Sequence, residues 1–334
     1  MEQFDEIYVV GPGSDYGNAM WSDFGKIANG EEYLYAISTN NRFLKLLHHI
    51  HFSFALNKKR DLPFQKIWKR FYSIENIRFQ DSKNYFILLP DVSACRIDKS
   101  YLEQLHNRKN VCLVLFVVNI MQRKTRLITD RIKCFDYVYS FSEVDAQKYG
   151  FIFHNSVYSR QIVNMNQSIN YDAFFAGSYS EKRLKDLRVL SQRMIDSGLV
   201  PQFHVNNVKK QNILDDSIIY NNPLSYNELL NKTLASNCII EILAEGAECG
   251  FTMRTAEALC YNKKLITNNA QIKYSKYYDP QKIQIFSNVE DVDINFVVDR
   301  TPIDYKYEDD FSPLEILKNN EIQNWLKNSF KKEV

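Results

Sequence analysis

No stretch of this sequence is apolar for long enough to cross a bilayer. Its longest apolar run, VCLVLFVV from Val111 to Val118, is far short of the ~20 residues a transmembrane helix needs. Met1 to Glu6 are acidic and polar, and the apolar run that follows is only a strand's length, so no secretory signal is read there. The six cysteines, Cys95, Cys112, Cys134, Cys238, Cys249 and Cys260, include no CxxC pair, and most sit in apolar segments. They are expected to be reduced core residues of a cytoplasmic protein, not disulfides or metal ligands. A net charge of +2 is too small to make nucleic acid the main partner. Repeats of solenoid period and low-complexity tracts are absent as well. HHIH places His48 and His51 at i,i+3, but no further ligand has helpful spacing for zinc; a solvated helix face is expected. Asp291-Val292-Asp293 spells DxD but lies near the C-terminus, where a surface acidic turn is expected.

What is present is a globular chain of 334 residues, 45% hydrophobic and 25% charged, a length that favours two domains of ordinary size. Aromatic residues reach 14%, enough for large cores or sugar-stacking surfaces. Short apolar runs alternate with helical patterns. IYVV, YLYAI, YFILL, VCLVLFVV and YVYSF read as strands in the first half. Phe43, Leu46, Leu47, Ile50 and Phe54 recur at helical spacing, and SEVDAQKYG reads as a helix capped by Ser142 and stopped at Gly150. The polar segment RQIVNMNQSIN, from Arg160 to Asn170, is taken as a linker, after which the alternation restarts with the strands AFFAG, FHV, CIIEIL and KLIT. A final helix is expected from Pro313, capped by Ser312. Runs apolar throughout fit parallel strands covered on both faces. The expectation is an α/β chain of two Rossmann-like domains, 1–160 and 161–312, with helix 313–334 packing back on the first, and ligands bound at strand carboxyl ends in the cleft between the domains.

Three places carry candidate chemistry. GPGSDYGNA follows the first strand, and Gly11, Gly13 and Ser14 form a turn that is neither G-x-G-x-x-G nor a Walker loop with its lysine. It is either a plain βα turn or a cleft loop in which Asp15 acts as a base or binds a hydroxyl. In DAFFAGSYSEKR a strand ends at Gly177-Ser178, leaving room for a ligand, and Arg183 follows in the next helix. That arginine is either a surface residue or a donor of two charge-assisted hydrogen bonds to phosphate. In GFTMRTAEALCYNKKLITNN, Thr252 suits the N-cap of a helix beginning at Met253. The unpaired N–H groups there, with Arg254, make an anion site. Glu257 shares that face one turn deeper, placed to take a ribose diol or, more plainly, to pair with a lysine in solvent.

GFTMRTAEAL followed by KKLITNN, together with YSFSEVDAQKYGF and DAFFAGS, resembles GT-B-fold glycosyltransferases of bacterial capsule, lipopolysaccharide and exopolysaccharide assembly. The likeness runs over most of the chain and thins in residues 40–80 and 285–312. It implies transfer of a sugar from a nucleotide-diphospho-sugar to a glycan or lipid-linked acceptor, without a metal or other cofactor. Many retaining members carry two glutamates with seven residues between them; the second matches Glu257, but the first falls at Cys249, with Glu245 and Glu248 out of register. A nucleotide-sugar epimerase of the same fold and a non-catalytic glycan-binding or scaffold subunit are the competing expectations. Between residues 42 and 70, Arg42, Lys45, Lys58, Lys59, Arg60, Lys66, Lys69 and Arg70 face one acid, Asp61, with aromatic residues interleaved. Such a region can lie on the anionic inner face of a membrane; an ordinary solvated helix pair is the plainer alternative.

Overall fold

The computed structural model describes residues 3–11, 14–26, 34–118, 121, 126–164, 168–214, 216–243 and 250–330. The chain divides into two compact units, residues 1–159 with 311–334, and residues 160–310.

In the first unit the strands are β1 (Glu6–Gly11), β2 (Leu34–Tyr35), β3 (Tyr85–Pro90), β4 (Val111–Val117), β5 (Tyr137–Ser140) and β6 (Ile152–Phe153). They form a parallel sheet in the order β2-β1-β3-β4-β5-β6. β3 and β4 are buried along their whole length, because successive side chains enter different cores. Tyr85, Ile87, Leu89, Leu113 and Leu115 pack on one face, and Phe86, Leu88, Cys112, Val114 and Phe116 on the other. The C-terminal segment joins the second of these cores through Ile316 and Ile322, and Trp325 stacks on Phe4 with ring centroids 5.8 Å apart.

The single C-terminal helix expected from sequence is broken into Leu314–Leu317 and Asn320–Phe330. Asn319 intervenes, its side-chain oxygen accepting from Glu321 N–H at 3.0 Å, a local bond that competes with helix continuation. Ser142 and Gly150 cap and stop their helix as expected, the glycine with φ of 71°.

The second unit contains β7 (Tyr171–Ser178), β8 (Pro201–Asn206), β9 (Ile219–Tyr220), β10 (Ser236–Glu241), β11 (Lys264–Thr267) and β12 (Ile283–Ile285). All neighbours are parallel, in the order β12-β11-β10-β7-β8-β9. Numbered within the unit this is the 3-2-1-4-5-6 order of dinucleotide-binding sheets, seen from the opposite edge. Strand order therefore reverses between β7 and β10, and between β1 and β3 in the first unit.

HHIH is not a solvated helix face. His48 is buried, its ring packed against Phe52 and Trp68, and Nε2 lies 2.9 Å from Arg96 O. Burial lowers its pKa to about 4. His51 Nδ1 accepts from the Trp68 indole N–H at 2.8 Å, so Nε2 carries the proton and donates to Pro63 O at 2.9 Å. Five cysteines are buried and free, while Cys249 lies outside the described residues. Burial pushes the Cys95 and Cys260 thiols up to about 12, which keeps them unreactive.

Candidate functional site

Open α/β sheets bind ligands at strand carboxyl ends where the order reverses. In the second unit that point lies beyond Ser178 on β7 and Glu241 on β10. Arg183, in the helix Glu181–Asp196 capped by Ser180, bridges it. Its Nε donates to Ile242 O and its Nη1 to Ser178 O, both at 2.7 Å. The guanidinium lies 5.9 Å from the centroid of the Phe175 ring. Burial pulls its pKa below the usual value, yet an arginine stays charged at neutral pH. Two of its donors are thus taken by main-chain carbonyls, which fixes the cation between the two strand ends and corrects the picture of an arm free to grip phosphate. Gly177 has a structural reason as well. A Cβ there would come 2.8 Å from Phe175 Cζ, so the room it leaves accommodates that ring.

Thr252 caps the helix Met253–Cys260 as expected. Its Oγ1 accepts from Arg254 N–H at 3.0 Å and Thr255 N–H at 3.4 Å, and its carbonyl accepts from Ala256 N–H at 3.0 Å. The same hydroxyl donates to Glu241. Glu241 is buried and accepts also from the hydroxyls of Thr255 at 2.9 Å and Thr267 at 2.5 Å. A satisfied polar cluster therefore locks the helix start to the ends of β10 and β11. Thr267 Oγ1 accepts Asn269 N–H at 2.9 Å, Asn269 Nδ2 donates to Gly250 O at 3.2 Å, and Leu243 N–H donates to Asn268 Oδ1 at 2.7 Å. Sequence reasoning missed Glu241, Thr255, Thr267, Asn268 and Asn269; its one available signal was the polar run TNN directly after a strand. The Thr252 hydroxyl is fully used, and Met253 N–H is the first-turn donor that none of these bonds takes.

Glu257 is not an exposed acid paired with a lysine. It is wholly buried, and its Oε2 meets Arg254 Nη1 as an ion pair rather than an aligned hydrogen bond. Burial pushes its pKa up to about 7, against Arg254 and the Tyr226 hydroxyl, which pull it down. Arg254 keeps 13% of its side-chain surface exposed, so it is the outer member of the pair and Glu257 the inner.

A carboxyl whose pKa is higher folded than unfolded favours folding when protonated. The contribution of Glu257 is therefore full below about 4.5 and lost as pH rises through about 7. Roughly 3 kcal/mol of stability is expected to go across that window, at ~1.4 kcal/mol per pKa unit. Glu257→Gln should flatten this part of the stability–pH curve in chemical denaturation; an unchanged slope would assign it to another group.

In the first unit, Gly11 ends β1 and is buried. Ser14 caps the short helix Asp15–Trp21 by accepting from Gly17 N–H at 3.1 Å. Asp15 is exposed in the first turn, where a negative charge suits the helix dipole. Gly13 lies outside the described residues. Asp293 of the DxD triplet caps the helix Ile294–Val298, accepting from Asn295 N–H at 2.9 Å.

No protein-family model matches the sequence, and no curated protein sequence matches it. Among solved structures, the chain is similar to the UDP-GlcNAc 2-epimerase of Methanocaldococcus jannaschii, solved with UDP-GlcNAc and UDP, at 12% identity and a TM-score of 0.48, covering 98% of this chain and 99% of that one. It is similar to the glycosyltransferase SnogD of Streptomyces nogalater at 9% identity and a TM-score of 0.43, covering 98% and 99%. A further likeness is to the glycosylation-associated Gap123 complex of Streptococcus agalactiae, at 11% identity and a TM-score of 0.42. It covers 78% of this chain and 53% of that one, so the present chain spans about half of it. Likeness at this level identifies neither substrate nor activity. What stands is an α/β chain of two doubly wound parallel sheets, with Arg183 bridging the strand ends at the reversal point of the second and a capped helix starting against Glu241 beside it.

Proposed function

We propose that the chain is a glycosyltransferase that takes a nucleotide-diphospho-sugar in the second unit and passes the sugar to a glycan or lipid-linked acceptor of surface-polysaccharide assembly. The observation that carries this reading is that Arg183 bridges the ends of β7 and β10 while the helix Met253–Cys260, with Arg254 in its first turn, starts against Glu241 at the end of β10. A fixed cation, Arg183, with the Met253 N–H and the positive end of the helix dipole, suits a diphosphate that gains charge as it departs. Protein cations then supply the charge that a metal ion supplies in other transferases. Arg254, the outer member of the pair, meets the phosphates while Glu257, wholly buried beneath it, holds the guanidinium; the ribose diol expected at Glu257 from the sequence finds no exposed carboxylate there. Titration with UDP, GDP, dTDP and CMP tests the site. Donor turnover then separates the outcomes: a transferase slowly releases nucleoside diphosphate, an epimerase alters the sugar, and a scaffold does neither.

Asp15 is proposed as the base that activates the acceptor hydroxyl. Asp15→Asn is expected to lower transfer ~10²–10⁴-fold while nucleotide affinity holds. Steady-state transfer at the wild-type rate would leave Asp15 a helix-terminal charge only.

The enzyme is further proposed to work at an anionic membrane surface. No described helix is long and apolar enough to cross a membrane. The helix Arg42–His51 is inverted relative to an ordinary surface helix: His48 is its buried residue, whereas Phe43, Leu46, Leu47 and Ile50 are exposed. Phe64 is 78% exposed with a left-handed φ of 65°, a strained backbone for an aromatic residue. The segment beneath is held by buried Asn57, which donates to His51 O at 2.8 Å and accepts from Leu62 N–H at 2.9 Å and Gln65 Nε2 at 3.0 Å. Lys58, Lys59, Arg60, Lys66 and Arg70 of the same segment are exposed as well. Apolar residues fixed outward among cations are suited to acyl chains below anionic head groups.

A further inference from the structure

A pocket of 580 Å³ opens in the first unit and is lined by Gly11, Ser38, Lys45, His49, Ser93 and Arg96, among others. Its size falls within the ~300–1,000 Å³ of small-molecule sites. Its position is that of a ligand site, at the carboxyl end of β1 and just beyond β3, where this sheet reverses its order.

The chemistry of the wall has one sign. None of its described lining residues is acidic. Among the described residues, neither Lys45 nor Arg96 pairs with a carboxylate. The segment carrying Arg96 is held by His48, whose Nε2 lies 2.9 Å from Arg96 O. Ser93 is 1% exposed, and its hydroxyl has no hydrogen-bond partner among the described residues. A buried hydroxyl left unmatched costs stability, and here it lines a pocket with two cations that have no carboxylate partner among the described residues. An anion with several acceptor oxygens would answer all three.

We propose that this pocket binds a phosphate or diphosphate ester carried by the acceptor, with Lys45 and Arg96 on the phosphate oxygens and Ser93 donating its hydroxyl. The assignment of the phosphate to an acceptor rests on the transferase reading above; the anion site itself does not. The helix that supplies Lys45 and His49 to the pocket also carries the exposed Phe43, Leu46, Leu47 and Ile50. A phosphate with an apolar tail therefore fits one helix on both sides.

The test is calorimetric titration of the full chain with inorganic pyrophosphate, then with inorganic phosphate and a water-soluble short-chain phosphatidic acid. Lys45→Gln/Arg96→Gln is expected to weaken pyrophosphate at least ~10-fold and Ser93→Ala a few-fold, with nucleotide affinity unchanged in both. Tighter binding of the phosphatidic acid than of inorganic phosphate assigns the phosphate to a lipid; equal affinity assigns it to the head group of a water-soluble ester. Pyrophosphate binding with no component that Lys45→Gln/Arg96→Gln removes, the second-unit site accounting for all of it, or no binding by wild type, overturns the proposal. Loss of the transferase reading would appear separately, as wild-type protein that binds pyrophosphate in this pattern but no nucleotide.

Discussion

Arg254→Ala is expected to lose stability and nucleotide affinity together, and only a paired variant separates the two. Glu257 is wholly buried with Arg254 as its counter-charge. Breaking a buried ion pair from one side costs ~3–5 kcal/mol, because the remaining charge is stranded. For units of this size that corresponds to a fall of roughly 10 °C in melting temperature. The loss should be smaller in mild acid, where Glu257 takes up a proton, its pKa already standing at about 7. Replacing both partners by apolar residues of similar volume, Arg254→Met/Glu257→Leu, should recover most of the stability, since neither charge is then left unmatched. Nucleotide affinity should not return with it. A folded double variant that binds nucleotide diphosphate like wild type would show the pair to be structural alone. Calorimetric melting and titration on the same samples decide it.

The second large effect concerns the basic, apolar face of residues 42–70. Lys58→Glu/Lys59→Glu/Arg60→Glu is expected to release the protein from phosphatidylserine-containing vesicles. Each cation near such a surface contributes ~1 kcal/mol, so three reversals amount to roughly 3–6 kcal/mol, a loss of about 100-fold or more in partitioning. Phe64→Ser should weaken binding in high salt as well as low, because its contribution is apolar. Phe64 is 78% exposed, so its side chain can be cut back without opening the core. Co-sedimentation measures both. Wild-type protein that ignores anionic vesicles at low salt would contradict the membrane reading outright.

The long apolar runs of β3 and β4 made the first parallel sheet legible, since five to seven consecutive apolar residues with two buried faces have no alternative use, whereas β10 and β11 show only three and two such residues and were read from the alternation around them. β6, β9 and β12, with two or three residues each, are too short to show a period and exist only because a neighbour offers hydrogen bonds. Caps were readable because they are local: Ser142, Thr252 and Gly150 act within a few residues. The site was half readable for the opposite reason. Thr252 and Arg254 advertise a helix start, but Glu241 sits in an apolar strand and meets Thr252, Thr255 and Thr267 only in the fold. His48 and Arg183 looked exposed by composition and were claimed by distant carbonyls of Arg96 and Ile242. The apolar stripe of the helix Arg42–His51 was correct in period and inverted in direction, which no periodicity encodes.

The most direct measurement is calorimetric titration of the wild-type chain with UDP, GDP, dTDP and CMP, alongside Arg254→Met/Glu257→Leu. One nucleotide should bind the wild type and raise its stability by ~2.7 kcal/mol at a hundred times its dissociation constant. The folded double variant should bind it at least ~10-fold more weakly. No binding of any of the four, or equal affinity in both proteins, would contradict a nucleotide-diphospho-sugar site at the β7/β10 reversal point.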